Sequence, residues 1–153
     1  MNHATSPIDL TILPPFLRLI DVQDLTVENG TAHINFTFDA NRHANGIGVA
    51  HGGVICTLMD VVMGYSAFSW GDNPGAIVTI DQSVQFASAL VGRVRASGRV
   101  TRGGRSMIFC AGEIRTESGN LIASGMGTFK RVKRVYEQHA AAALHEESER
   151  QRG

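Results

Sequence analysis

Residues 52–70 constrain this chain more than any other segment. Val54, Ile55, Leu58, Met59, Val61, Val62, Tyr65, Ala67 and Phe68 fall on nearly every side of a helical wheel. A helix that is apolar all round has to be buried. Gly71-Asp72-Asn73-Pro74-Gly75 ends it. Everything afterwards reads as strand. Residues 76–86 carry Ile77, Val78, Ile80, Val84 and Phe86, and residues 93–101 alternate Arg93, Arg95, Ser97 and Arg99 against Val94, Ala96, Gly98 and Val100. Gly103-Gly104 signals a two-residue hairpin. Residues 106–116 and 121–132 continue through the turn Glu117-Ser118-Gly119-Asn120. Ahead of the helix, residues 31–38 alternate with Ala32, Ile34, Phe36 and Phe38 on one face, and the Asn- and Gly-rich residues 39–50 read as a loop. The expected order is one strand, a long buried helix, and four strands in an antiparallel meander, an α+β class. One curved sheet covers only part of such a helix. A second copy of the chain has to cover the rest, so the segment order favours a dimer.

The chain has 153 residues, the size of one domain, and its 43% hydrophobic content supplies a core. We divide it into an N-terminal lead-in over 1–30 with a short helix from Phe16 to Ile20, a main domain over 31–132, and a peripheral helical tail over 133–153. A formal net charge of zero removes the simple case for a nucleic-acid partner. Two cysteines without a CxxC spacing suit a reducing, cytoplasmic compartment. No apolar run is expected to reach the roughly 18 residues of a membrane span, and Pro14-Pro15 interrupts the only apolar stretch where a signal peptide would lie. The charge is unevenly spread: residues 1–92 hold eight acids and two bases, and residues 93–134 hold ten bases and two acids. The basic block either attracts a polyanionic small molecule or forms solvated strand faces.

Two features of residues 45–60 are odd in purely structural terms. His51-Gly52-Gly53 opens the helix with two poor helix formers, glycine costing about 1 kcal/mol relative to alanine. Asp60 stands mid-helix between Met59 and Val61, and a buried carboxylate needs partners or a task. The glycines could merely allow close packing, and Asp60 could be a satisfied buried polar group. The functional reading comes from the physics of helix ends. A helix N-terminus presents unpaired N–H groups and partial positive charge, and glycine lets a carbonyl approach them closely, as in an oxyanion hole. Asp60 supplies a carboxylate that attacks directly or deprotonates water. Gly52 and Asp60 are separated by about 12 Å of helix, whereas reacting atoms approach to about 3–3.5 Å. One chain cannot bring both to one carbonyl. Two antiparallel copies can, giving two identical sites per dimer.

Asn45, His51-Gly52-Gly53 and Asp60 together resemble the hotdog-fold acyl-CoA thioesterases of the phenylacetate-pathway (PaaI-like) type. The resemblance covers roughly residues 35–131 and takes in Val78-Thr79-Ile80-Asp81, the turn from Phe86 to Gly92, and Gly104-Arg105. It implies a hotdog fold, a long central helix wrapped by a curved antiparallel sheet, with dimers pairing into tetramers. It implies hydrolysis of an acyl-CoA to a carboxylic acid and free coenzyme A, with no metal and no cofactor beyond the coenzyme A of the substrate. Asp60 would be the catalytic carboxylate, as nucleophile or general base. The Gly52 N–H would polarise the thioester carbonyl with help from Asn45, and Thr79 would position water. His51 would orient the loop or touch the thioester, or else simply bond locally at the helix start. Gly53, Phe86, Ala87, Ser88 and Ala89, with the hairpin residues Arg102, Gly104, Arg105 and Ser106, would line the path of coenzyme A. Arg102 and Arg105 are the candidate phosphate contacts, unless they are ordinary hairpin charge.

Other residues are weaker leads. Arg93, Arg95 and Arg99 share a face that suits a dimer–dimer contact or solvent. Cys56 has no readable activating base beside it in the sequence and reads, like Cys110, as a buried free thiol. His33, His43, His139 and His145 lack metal-ligand spacing. Met59, Met63, Tyr65 and Phe68 line an apolar pocket or belong to the core. A hotdog enoyl-CoA hydratase or dehydratase would use His with Asp or Glu in patterns not found here. A non-catalytic acyl-CoA sensor would carry an output domain for which 153 residues leave no room.

Overall fold

Alternating strands and one apolar helix build the architecture of the computed structural model, which describes residues 13–71 and 76–132. Strand β1 spans Gln23–Glu28, β2 Thr31–Thr37, β3 Ala76–Phe86, β4 Arg93–Gly103, β5 Met107–Thr116 and β6 Leu121–Val132. They form one antiparallel sheet in the order β1-β2-β4-β5-β6-β3. Ala32, Ile34 and Phe36 of β2, Val94 and Ala96 of β4, and Ile108, Cys110 and Ile114 of β5 turn inward. Arg93, Arg95 and Arg99 turn outward, as the alternation requires.

Three expectations need correction here. β1 falls within the segment read as a lead-in, so the sheet begins at Gln23 rather than at residue 31. β3 does not neighbour β4. It pairs along its length with β6 at the opposite edge, so the meander comprises only β4, β5 and β6. The β4–β5 turn has three residues, Gly104 to Ser106, with the Gly104 N–H bonded to the Met107 carbonyl. Two short helices, α1 (Pro15–Leu19) and α2 (Ala40–His43), flank the N-terminal strands, the second inside the expected loop. Leu13 and Leu17 anchor the α1 region in the core. The expected tail helix lies outside the described residues.

The central helix, α3, spans Gly52–Ser69 and touches all six strands. Ile55, Leu58, Met59, Val62, Met63, Ser66 and Ala67 are buried against the sheet, at the i, i+3, i+4, i+7 spacing of one helical face. Each large side chain fully buried there stabilises by about 1.5–3 kcal/mol. The opposite face, through Cys56, Asp60, Gly64 and Phe68, is not covered. Burial on all sides is thus not met within one protomer, because a single sheet wraps only one side. By length and composition α3 also passes for a membrane-crossing helix, contrary to expectation, but the sheet holds it as a core helix.

A row of glycines seats α3. Gly98, Gly112 and Gly125 pair across β4, β5 and β6. A Cβ at Gly98 would stand 2.3 Å from the Val62 carbonyl oxygen, and one at Gly112 would stand 3.2 Å from Met63 Cγ. Only glycine lets helix and strand backbones approach this closely.

Candidate functional site

The N-terminus of α3 is fixed by its own cap. His51 Nδ1 accepts the Gly53 N–H at 2.9 Å, and the Val54 N–H bonds the His51 carbonyl at 2.9 Å. The Gly52 N–H makes no hydrogen bond to a described residue, so it is the free amide at this helix end. His51 thus makes the local bond expected of a helix-entry residue through Nδ1. The preceding loop is tied down on both sides: the Ala50 N–H bonds the Leu90 carbonyl, and the His51 N–H bonds the His43 carbonyl. Asn45 Oδ1 accepts from the Ile47 and Val49 N–H groups, which leaves its Nδ2 end as the part able to meet a ligand. Phe86 lies over Gly52, where an added Cβ would sit 3.6 Å from its ring. Ala87 and Ser88 donate to the Ile122 carbonyl, and Ala87, Ser88 and Ala89 are exposed beside this end.

Asp60 lies two turns further along, on the uncovered face, half-buried rather than enclosed. Thr79 donates its hydroxyl to Asp60 Oδ1 at 2.7 Å, a charge-assisted bond that fixes the carboxylate and leaves Oδ2 without a partner among the described residues. A bulge in β3 makes this possible. Thr79 pairs with Phe129 and Asp81 with Thr128, so Ile80 is the extra residue. Thr79 and Gln82, three positions apart, consequently face the same side. Gln82 donates Nε2 to the Cys56 carbonyl at 3.3 Å, and its buried Oε1 lacks a partner among the described residues.

These groups line an open groove of about 660 Å³ along α3. Its end toward the helix N-terminus carries Cys56, Thr57, Asp60 and Gln82, and its other end carries Tyr65, Phe68 and Ile77, with Phe16 also in the lining. Of the residues expected to form a pocket, Tyr65 and Phe68 line it, whereas Met59 and Met63 are fully buried core. Burial raises the Tyr65 phenol above its ordinary value. Cys56 is correctly read as a free thiol but is a groove residue rather than a buried one. Cys110 is buried, which pushes its thiol up to about 12. The sequence pattern does not signal the place of Gln82 or Phe16 in this groove. Gly64 alone carries a local signal, its four-residue spacing from Asp60.

The structure separates the remaining candidates. Gly52, Gly53 and Phe86 sit at the start of α3. Arg102, Gly104, Arg105 and Ser106 sit beyond its far end, where the Trp70 ring covers Gly103 and the Ser106 carbonyl accepts the Arg131 N–H. The helix between them is about 27 Å long. Within one protomer the two halves of the expected coenzyme A path do not meet, and neither hairpin arginine lines the groove. Arg93 stands 3.7 Å from both Asp24 and Glu117, and Arg115 stands 2.9 Å from Glu113, on the outer sheet face. That part of the basic block is a solvated strand face.

Comparison with known proteins agrees with this architecture. A candidate esterase of Pseudomonas aeruginosa, PA0474, is 34% identical over 128 residues, covering 82% of this chain and 88% of that protein. The structure of a conserved P. aeruginosa protein, PA5202, superposes with a TM-score of 0.75 at 28% identity, covering 82% of this chain and all of that one. The PaaI protein of the Escherichia coli phenylacetic acid degradation operon has the same fold, with a TM-score of 0.71 at 21% identity over 78% of this chain and 85% of that one. The thioesterase superfamily matches residues 47–123. The chain belongs to the thioesterase superfamily, hydrolases built here on the hotdog fold.

Proposed function

We propose that this protein is an acyl-CoA thioesterase whose site is shared between two copies of the chain. The observation that carries the proposal is the Asp60–Thr79 pair, a carboxylate fixed at 2.7 Å by a hydroxyl on the open face of α3, where the groove passes from polar to apolar lining. A thioester carbonyl held there has its acyl group on the apolar side. Asp60 takes a proton from water, and the hydroxide adds to the carbonyl carbon. The oxyanion that forms is held by the Gly52 N–H of the second copy, with Asn45 Nδ2 beside it. Cleavage of the C–S bond then releases a carboxylic acid and coenzyme A as the thiol. Direct attack by Asp60 through an anhydride gives the same products.

Two further features support a head-to-tail pair. The uncovered face of α3 and the free edge of β3 lie on the same side of the molecule, with Ile80 and Phe86 each about half exposed. The hairpin arginines and the Gly52 end, far apart in one chain, come together when a second helix runs antiparallel. Arg102 and Arg105 then face the phosphates of coenzyme A, with Gly53, Phe86, Ala87, Ser88, Ala89, Gly104 and Ser106 along its path. Pairing of such dimers gives the tetramer. A cytoplasmic location follows from the substrate and suits the two free thiols.

The test is thiol release from a panel of acyl-CoAs by the wild type and by Asp60→Asn. Release by the wild type, falling about a thousandfold or more in the variant, supports the proposal. Undiminished turnover in the variant removes Asp60 from the mechanism. Binding of acyl-CoA without thiol release by the wild type assigns a binding role instead.

A further inference from the structure

The middle of α3 carries a glycine that the packing of the protomer does not require. Gly64 lies one turn beyond Asp60 and one turn before Phe68, in the row that lines the groove. A Cβ added there would meet nothing closer than a Phe129 ring carbon at 3.4 Å, an ordinary contact. Gly98 is different, since a Cβ there would strike helix backbone at 2.3 Å. Gly64 does not have a positive φ either. Glycine inside a helix costs about 1 kcal/mol relative to alanine, and no contact in the protomer offsets that. What the glycine opens is space on the groove side.

That space stands where the groove changes character. Asp60, Thr79 and Gln82 lie on the side toward the helix N-terminus, and Tyr65 and Phe68 on the other. Side chains on a helix lean toward its N-terminus, so any side chain at position 64 would lean over the turn that holds Asp60.

We propose that Gly64 is the specificity-determining position of this site. Its missing side chain forms the passage through which the acyl group runs from the Asp60 carboxylate into the aromatic end of the groove. The substrate class is an acyl-CoA with an apolar acyl group long enough to pass Gly64, about 6 Å along the helix from Asp60. This inference rests on the thioesterase reading above.

The experiment compares wild type, Gly64→Ala and Gly64→Val. It measures thiol release from acetyl-, hexanoyl- and decanoyl-CoA, and calorimetric binding of the non-hydrolysable thioethers S-ethyl-CoA and S-hexyl-CoA. Valine is expected to lower the hexanoyl-to-acetyl ratio of kcat/KM about tenfold or more, with alanine between. The thermal midpoint of the alanine variant stays equal or rises, and the affinity advantage of S-hexyl-CoA over S-ethyl-CoA disappears in the valine variant. An unchanged ratio, or an equal fall for every substrate, overturns the inference. So does loss of the wild-type oligomeric state, which would place Gly64 at a contact between copies. Absence of thiol release from every substrate by the wild type defeats the thioesterase reading, and the thioethers then decide alone. An S-hexyl advantage that valine abolishes upholds the inference, and one that valine leaves intact, or that the wild type lacks, overturns it.

Discussion

Gly98→Ala should be among the most damaging single-methyl changes in this protein. The added Cβ would lie 2.3 Å from the Val62 carbonyl oxygen, 2.5 Å from its carbon and 2.9 Å from the Met63 nitrogen. Comfortable non-bonded separations are about 3.5 Å, so helix and strand must part by about 1 Å. Neither moves easily. β4 is hydrogen-bonded on both sides at this point, to Ala32 and to Gly112, and Val62 and Met63 are fully buried. Overpacking of this kind costs about 1–3 kcal/mol, and a backbone obstacle puts this site at the upper end. Stiffening of the unfolded chain returns less than about 1 kcal/mol. At about 2–4 °C per kcal/mol for a chain of this size, the midpoint of thermal unfolding should fall by about 5–10 °C, read by circular dichroism. Gly112→Ala, whose Cβ would meet the flexible Met63 side chain at 3.2 Å, should lose less. Gly52→Ala, with only the Phe86 ring at 3.6 Å, should lose nothing. A Gly98→Ala protein as stable as wild type would show that α3 is not seated on this glycine row.

Gly52→Ala should nevertheless reduce thioester hydrolysis about tenfold or more, since its methyl stands where a carbonyl must approach the free amide; unchanged kcat/KM would count against the helix N-terminus as the carbonyl site. Thr79→Val keeps the shape and removes the hydroxyl on Asp60. Losing the bond that orients the carboxylate should lower kcat about tenfold or more, with Thr79→Ser restoring most of it; equal rates in all three would deny Thr79 a role. Maleimide should label Cys56 in the groove and block turnover while Cys110, buried with its thiol pushed up to about 12, stays unmodified until unfolding; mass spectrometry of the native protein decides. Burial, reinforced by Arg95, holds the His33 imidazole below its ordinary value of 6.5. The unfolded chain therefore binds that proton more readily, and stability present above about pH 6.5 is lost as pH falls through the folded value. His33→Gln should flatten urea-unfolding stability across that window, and an unchanged slope would remove His33 as its source.

Local pattern made some of this architecture legible and left the rest hidden. The apolar run of α3 and the strict alternation of β2 and β4 are read directly, because each encodes a single period. β1 escaped because Gln23–Glu28 has no clean alternation and Asp24 takes a positive φ of 48° within it. The place of β3 beside β6 is a long-range pairing that no local pattern carries. Its bulge at Ile80 reverses the alternation, so only the family resemblance points to Thr79 and no pattern points to Gln82. Asp60 stood out as a charge in an apolar helix. Its half-open setting did not, because exposure depends on how far one sheet wraps.

The direct test of a site built from two chains mixes two inactive proteins. Asp60→Asn and Gly52→Val homodimers each lack one component in both sites. After equal mixing and subunit exchange, half the dimers are hybrids, and each hybrid holds one site with wild-type Asp60 facing wild-type Gly52. Shared sites predict recovery of about a quarter of wild-type turnover. Complete exchange, verified by mass spectrometry, with no recovered activity would contradict them.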